Sequence, residues 1–260
     1  MLGLLLTILI AALNGVPASC VGCDMAHMDL HGRDLRNVSW TGSDLRGANL
    51  RGANLSGARL AGVDLRDADL RDADLRNAML AGVQLRGAHL DGARLDGIRI
   101  AGGDLSGSYL QSLRDDQARA LLAHCAGCDI ANVDLHGKNL DGIGVAGSNF
   151  RDSNLSGASL RNANLVADSF RGANLRDVNF QGAALCGHDT DINDNRRPYN
   201  VHYGELHCSD FSGADLRGAN LRGAQICDYA GRDQPRRCSA LDAAALRSLG
   251  HANLDGAVGP

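Results

Sequence analysis

Large apolar residues recur at every fifth position along most of this chain. They do so in three tracts, Leu30–Leu110, Ile130–Leu185 and Phe211–Ile226. Within residues 48–93, Ala or Val stands two positions before each large residue. Asp or Asn often precedes the large residue, Arg often follows it, and Gly, Asp or Asn comes next. A repeat this regular is the primary evidence for the fold.

Neither a helix nor a flat strand can use a period of five. On an α-helix, five residues turn the chain by about 500°, so successive leucines lie ~140° apart and form no stripe. On a strand, five is odd, so successive leucines point to opposite faces. The pattern therefore predicts that the backbone turns once per five residues. Each repeat is one side of a coil, with the Leu and the small residue inside and the Gly, Asp or Asn near the corner.

The repeat Ala48-Asn49-Leu50-Arg51-Gly52 is representative of the series. It resembles the A-(D/N)-L-x-x consensus of the pentapeptide-repeat family, and the resemblance covers most of residues 28–226. It implies an all-β solenoid, a right-handed quadrilateral β-helix in which four repeats close one square coil. Residues twenty apart then lie in adjacent coils, ~4.8 Å apart. Phe150 and Phe170 are therefore expected to stack.

Interruptions of the period divide the chain into segments. Residues 113–124 have the pattern of a short amphipathic helix, and a second helix is expected at Ser239–Leu249. Open ends of a solenoid expose backbone and core, so both helices are predicted to be caps. The predicted segments are a signal peptide (1–18), a first repeat block (19–112), an interrupting helix (113–124), a second repeat block (125–186), a disulfide-closed loop (187–207), a last coil (208–227) and a C-terminal loop with capping helix (228–260).

Two stretches of the chain look like copies of each other. Cys20-Val-Gly-Cys23-Asp recurs as Cys125-Ala-Gly-Cys128-Asp, and the offset of 105 residues is twenty-one repeats of five. The chain therefore looks internally duplicated, with each copy opening on a C-x-x-C-D element. Such an opening resembles those of other exported pentapeptide-repeat proteins.

The first eighteen residues have the pattern of a signal peptide. An apolar run over Met1–Leu13 precedes Val16 and Ala18, which are small residues placed for cleavage after Ala18. No Lys or Arg precedes the run, and the run is shorter than the ~20 residues of a membrane span. We therefore expect an exported protein, periplasmic or secreted, without a membrane span. A lipoprotein anchor on Cys20 is the alternative, although Pro17 stands where such a signal has an aliphatic residue.

The chain has eight cysteines, and an even count in an exported chain favours disulfides. Cys186 and Cys208 flank residues 187–207, so a disulfide is expected to close that segment. A second disulfide between Cys227 and Cys238 would close the next loop. For the two C-x-x-C pairs three interpretations remain: a disulfide within each pair, buried free thiols, or a redox or metal role. The candidate disulfide cysteines are Cys20, Cys23, Cys125, Cys128, Cys186, Cys208, Cys227 and Cys238.

The irregular segment 187–207 is the predicted contact site for a partner protein, because irregular loops on regular scaffolds often carry function. The stretch Asp189–Asp194 resembles the opening of a Ca²⁺ loop. It lacks the Gly at the sixth position, and Asn200 replaces the bidentate Glu at the twelfth, so neither a metal site nor a cofactor is predicted. The residues expected to contact the partner are His188, Asp189, Asp191, Asp194, Arg196, Arg197, Tyr199 and Tyr203.

Composition and charge narrow the classes of function. Gly is 33 of 260 residues, aromatic residues are 3%, and the net charge of −4 does not favour nucleic acid or an anionic membrane. No nucleophile–base pair, phosphate-binding loop or zinc-protease motif is visible. The sequence therefore predicts a non-catalytic exported repeat protein, a structural or protein-interaction rod whose partner is another protein.

Two other functions remain as alternatives. Some pentapeptide-repeat proteins resemble duplex DNA and bind DNA gyrase, but nine Arg nearly balance eight Asp between Asp44 and Arg99, which argues against a sustained acidic stripe. The other alternative is a metal-binding or redox protein that uses its cysteine pairs.

Overall fold

The computed structural model describes residues 15–189, 206–229, 237–241 and 255–259. The chain forms two compact units, Met1–Asp129 and Ile130–Pro260. We call them the N-terminal unit and the C-terminal unit.

The N-terminal unit is a stack of coils. One side of the stack is a parallel five-stranded sheet in the order β1-β2-β3-β4-β5. Each residue pairs with the one twenty positions later, as Trp40 does with Leu60. The other three sides are joined by single β-bridges with the same spacing, such as Asp44 with Asp64. The strands are β1 (Ser19–Val21), β2 (Ser39–Thr41), β3 (Arg59–Ala61), β4 (Met79–Ala81) and β5 (Arg99–Ala101).

These pairings confirm the predicted solenoid of square coils, because four five-residue sides make each twenty-residue coil. The leucines and the small residues before them point inward. Leu45, Ala48 and Leu50 are all fully buried. Trp40 takes a leucine position, and its indole N–H donates to the carbonyl of Pro17 at 2.9 Å.

The coil corners are turned by left-handed backbone at the last residue of a repeat. Gly52 has a φ of 64° and Asn77 a φ of 57°, in the region where Gly and Asn are best tolerated. Ala167 is the one alanine among the described residues with a positive φ, at 61°. A residue with a Cβ and no side-chain hydrogen bond pays about 1–2 kcal/mol for this conformation, so the corner at Ala167 is strained.

A short 3-10 helix (Leu110–Ser112) and α1 (Asp115–Leu122) interrupt the N-terminal unit. α1 lies within the segment where the sequence predicts a helix. It buries Leu121 and Leu122, and the Gln117 amide donates to the carbonyl of Ala93 at 2.7 Å. Its apolar face and this buried hydrogen bond attach α1 to the coils.

The helical insertion lengthens one coil by five residues. Ala101 pairs with Ala126, and Asp104 pairs with Asp129, at a separation of twenty-five instead of twenty. The inward-facing residues on both sides of the insertion stay in the same five-residue phase, because the extra length is one whole repeat.

The C-terminal unit is a second stack of coils. Asn154 bridges to Asn174 at a separation of twenty, but Asn174 bridges to Asp215 at a separation of forty-one. The twenty-one additional residues are inserted between these coils.

Three phenylalanines form a column inside the C-terminal unit. Phe170 stacks on Phe150 and on Phe211, with ring centroids 5.0 Å apart and interplanar angles of 9° and 7°. The predicted stacking of Phe150 on Phe170 is confirmed. The column continues to Phe211 because the insertion leaves the coil register intact.

A mixed four-stranded sheet, in the order β7-β6-β8-β9, lies at the insertion. Gly187 takes the repeat position at which the chain otherwise turns, but it lies within β6 and pairs with Cys227, so the strand continues past the corner. The strands are β6 (Ala184–Asp189), β7 (Leu206–Cys208), β8 (Gln225–Tyr229) and β9 (Arg237–Ala240).

The C-terminal helix predicted at 239–249 does not begin where the sequence indicated. Ser239 and Ala240 belong to β9 and pair with Ile226 and Gln225. Residues 242–249 lie outside the described residues, as do residues 1–14 of the predicted signal peptide. Within the described ranges, no helix has the length and apolar character needed to cross a membrane.

Candidate functional site

The four strands β6–β9 form two hairpins that share one sheet, which we call the hairpin sheet. β6 pairs with β7 in antiparallel orientation, β8 pairs with β9 in the same way, and β6 and β8 pair in parallel. A lone two-stranded hairpin is only marginally stable in water, whereas three or more strands support each other. The shared sheet therefore gives both hairpins a firm base.

Each hairpin is closed by a disulfide between directly opposed cysteines. Cys186 pairs with Cys208 and Cys227 with Cys238, with Cα–Cα distances of 3.9 Å and 4.1 Å. In the sequence, residues 190–205 connect β6 to β7, and residues 230–236 connect β8 to β9. Both segments begin and end at strands that are held together covalently.

The base of the hairpin sheet covers an apolar patch on the coils. Val166 occupies a repeat position that is usually exposed, yet only 6% of its surface is accessible, and it forms a buried cluster with Ala184 and Cys227. Ala146, one coil away, packs against this cluster. Apolar packing therefore reinforces the backbone pairing.

The structure locates two of the eight residues predicted to contact a partner. His188 and Asp189 are the last residues of β6, at the end of the strand that leads into segment 190–205. The other six lie outside the described residues: Asp191, Asp194, Arg196, Arg197, Tyr199 and Tyr203.

Both C-x-x-C pairs lie at disulfide distance. Cys20 and Cys23 have Cα atoms 6.0 Å apart and are half-buried, while Cys125 and Cys128 have Cα atoms 5.5 Å apart and are buried. These distances support the disulfide interpretation over free thiols. Among the described residues, no three His, Cys, Asp or Glu side chains are grouped so as to hold a metal ion.

Ion pairs within single repeats neutralise three sides of the N-terminal unit. The Asp44 carboxylate accepts hydrogen bonds from the Arg46 guanidinium, with Nη2 and Oδ2 2.6 Å apart. Arg46 also lies 3.7 Å from Asp64 in the next coil. The same arrangement occurs in Asp34–Arg36, Asp64–Arg66, Asp69–Arg71 and Asp74–Arg76. The D-L-R spacing that creates these pairs is visible in the sequence, but the sides on which they lie are not.

These pairs also change the acidity of the carboxylates. The side-chain hydrogen bond from Arg46 lowers the pKa of Asp44 to about 2. The corresponding Arg hydrogen bonds lower the pKa values of Asp64, Asp69 and Asp74. The carboxylates therefore stay charged and partnered well into the acid range. Arginine partners therefore interrupt the acidic surface that these carboxylates would otherwise form.

One carboxyl group is buried inside the C-terminal unit. Asp168 takes the inward position that usually holds Ala, and Ser148 and Ser209 take it in the adjacent coils. Its Oδ1 accepts the N–H of Ser148 at 2.8 Å, while Oδ2 has no hydrogen-bond partner among the described residues. Burial raises the pKa of Asp168 well above the ordinary value, although the backbone N–H groups of Ser148 and Gly147 partly oppose this. Asp168 stands two positions before Phe170, so the repeat alone could have flagged it.

The family model of pentapeptide repeats matches the sequence in eight copies. The matched residues are 29–67, 68–107, 123–165, 169–187 and 205–228, which together make up more than half of the chain. No curated protein matches the sequence.

Several solved structures are similar to this chain. QnrB1, a plasmid-mediated fluoroquinolone resistance protein, is 14% identical with a TM-score of 0.36, and the match covers 80% of this chain and 89% of QnrB1. HetL, a pentapeptide-repeat protein involved in heterocyst differentiation regulation in the cyanobacterium Nostoc sp. strain PCC 7120, is 26% identical with a TM-score of 0.25, covering 79% and 84%. The pentapeptide-repeat protein alr5209 of Nostoc PCC 7120 is 42% identical with a TM-score of 0.18, covering 32% and 69%.

Proposed function

The chain belongs to the pentapeptide-repeat family, and from that premise we propose that it is a non-catalytic, exported interaction protein. It binds another protein through the hairpin sheet and the segment 190–205 that the sheet carries. The observation that carries this proposal is the pairing of two disulfide-closed hairpins in one sheet. Such a base holds a binding segment at low entropic cost.

Export is supported by the cysteines. All eight are placed in disulfides, and disulfides persist in oxidising compartments outside the cytoplasm. The signal-peptide pattern of residues 1–18 agrees with this. We propose that cleavage follows Ala18, and the mature protein then lacks the Pro17 carbonyl that accepts the Trp40 indole N–H in the uncleaved chain.

Export is tested by expressing the full chain in a bacterial host and separating the cell fractions. The expected result is a protein in the periplasm or medium whose intact mass equals that of a chain beginning at Ser19. Retention of an uncleaved chain in the cytoplasm would reject export. It would return the gyrase-binding alternative, which a DNA supercoiling assay then tests directly.

Partner binding is tested by cross-linking in the exported fraction with two matched variants. The first replaces residues 190–205 by a Gly/Ser linker of equal length and keeps Cys186 and Cys208. The second replaces residues 230–236 in the same way and keeps Cys227 and Cys238.

We expect the native chain to form a cross-link to a partner protein. This cross-link should disappear in the 190–205 variant and persist in the 230–236 variant. If all cross-linked partners survive that replacement, the segment is not the binding site and the proposal is wrong. Thermal unfolding of both variants shows whether the coils remain folded.

A further inference from the structure

One side of the N-terminal unit carries no acidic residue, unlike the other three. This side, which we call the sheet face, consists of the outward side chains of β1–β5. Its residues are Ser19, Val21, Ser39, Thr41, Arg59, Ala61, Met79, Ala81, Arg99 and Ala101. Each of the other sides has Asp–Arg pairs, whereas here only small, apolar and basic side chains face outward.

The sheet face exposes apolar side chains that its own unit does not cover. Val21 is 82% exposed and Met79 is 41% exposed. An open groove of about 520 Å³ runs beside Met79 and Arg99 to His124, and Leu80 and Ile100 form part of its lining. Exposed apolar surface beside such a groove is typical of a contact surface.

The charge of the sheet face is unbalanced. Neither Arg59 nor Arg99 forms an ion pair with a described residue, whereas the arginines of Asp-Leu-Arg repeats on the other sides are paired. Arg59 and Arg99 lie two coils apart, about 10 Å at the strand spacing. Met79 stands between them in the same column. The column therefore presents a cation, an apolar side chain and a second cation in line.

We propose that the sheet face is a docking surface for an acidic, partly apolar segment of another protein, lying along the column of Arg59, Met79 and Arg99. Carboxylates of the segment pair with the two guanidinium groups, and its apolar atoms cover Met79. A polyproline II segment repeats every three residues, about 9.3 Å, so an acid at every third position meets both arginines. A second copy docked face to face is disfavoured, because the positively charged Arg59 and Arg99 of one copy would face the same arginines of the other.

The test uses a labelled synthetic peptide of four Glu-Pro-Pro repeats and measures fluorescence anisotropy on the full mature chain. Peptides of Lys-Pro-Pro and Ser-Pro-Pro are the controls for charge. The test variant is Arg59→Ser with Arg99→Ser, because Ser19 and Ser39 already occupy this column. We expect the affinity for the Glu peptide to fall about tenfold, as the loss of two exposed ion pairs predicts.

The matched control is Arg66→Ser with Arg86→Ser on a neighbouring side, where Ser106 occupies the same column. It changes the net charge equally, so it should leave binding within about twofold if the effect is local to the sheet face. Binding that is absent, equal for the Lys peptide, or reduced equally by both double variants would overturn the proposal. A dimer in sedimentation that Arg59→Ser with Arg99→Ser dissociates would assign the face to a second copy, and would also overturn it.

The sheet face and the hairpin sheet share no residue, so each proposal can fail without the other. Replacing residues 190–205 should leave the peptide affinity unchanged. Replacing the two arginines should leave the cross-links through the hairpins unchanged.

Discussion

Replacing the buried Asp168 by Asn should make the protein more stable, and increasingly so as the pH rises. Asn has nearly the same shape, and its amide oxygen can still accept the Ser148 N–H that now reaches Oδ1 at 2.8 Å. What it removes is a group that ionises in water but is held away from water in the fold. In the described part of the chain, Oδ2 has no hydrogen-bond partner that would stabilise a negative charge there.

The sign and size of the effect follow from proton linkage. Burial raises the pKa of Asp168 in the folded protein, while the unfolded chain loses this proton near pH ~3.9. The stability contributed by the protonated group is therefore fully present below about pH 3.9 and is lost as the pH rises towards the folded pKa. One proton exchanged corresponds to about 1.4 kcal/mol per pH unit. The stability difference between Asp168→Asn and the native protein should widen by this amount over that window and then level off.

The assay is urea unfolding of the disulfide-intact protein, followed by far-UV circular dichroism from about pH 2.5 to about pH 9, a range that spans the expected titrations. Asp44→Asn is a control of opposite sign. The pKa of Asp44 is lowered to about 2, so its contribution is present above the unfolded pKa and is lost as the pH falls through about 2. That difference should change only in acid and stay constant above about pH 4. A difference for Asp168→Asn that is constant from about pH 4 to about pH 9 would refute the reasoning.

Three further predictions concern the corners, the core and the cysteines. Ala167→Gly should stabilise the fold by up to about 1 kcal/mol, because the energy cost of left-handed backbone for Ala exceeds the backbone entropy that Gly loses on folding. Conversely, Gly157→Ala, at a corner with a φ of 68°, should destabilise the fold by about 1 kcal/mol in the same urea assay. Phe170→Leu should destabilise by about 1 kcal/mol more than Phe150→Leu, because Phe170 stacks on two rings and Phe150 on one; equal losses in urea unfolding would contradict the column. Thiol titration in denaturant should detect no free thiol before reduction and eight after it, and free thiols in the unreduced protein would return the metal and redox interpretations.

Local preference placed the start of one element wrongly. The pattern after Cys238 indicated a helix from Ser239, yet Ser239 pairs with Ile226 in the hairpin sheet. The Cys227–Cys238 disulfide and the strand pairing hold these residues extended, and such non-local contacts override a weak helical preference. The helix within 113–124 was predictable because its apolar positions recur at helical spacing, a pattern that is read from the local sequence alone.

Ion pairing was partly readable from the sequence. An Asp two residues before an Arg across an inward Leu places both side chains on one side of a coil, as in Asp44 and Arg46. The absence of acid around Arg59 and Arg99 could be found by arranging the sequence in rows of twenty. Such an arrangement requires the coil length, which the period of five alone does not supply.

By itself the sequence determined that the chain coils, where it turns and which residues face inward. Each repeat has the same local requirements, a buried Leu every five residues and a corner that tolerates left-handed backbone. Because these requirements recur along the chain, the coiled fold can be recognised from the sequence. Only the tertiary structure decided which residues become neighbours across the insertions, at separations of twenty-five and forty-one positions. The pairing across the insertion places Asp168 between Ser148 and Ser209 and joins two hairpins into one sheet. The sequence pattern cannot supply this pairing, because it depends on how the coils close around the insertions and on which strands pair beyond the corners.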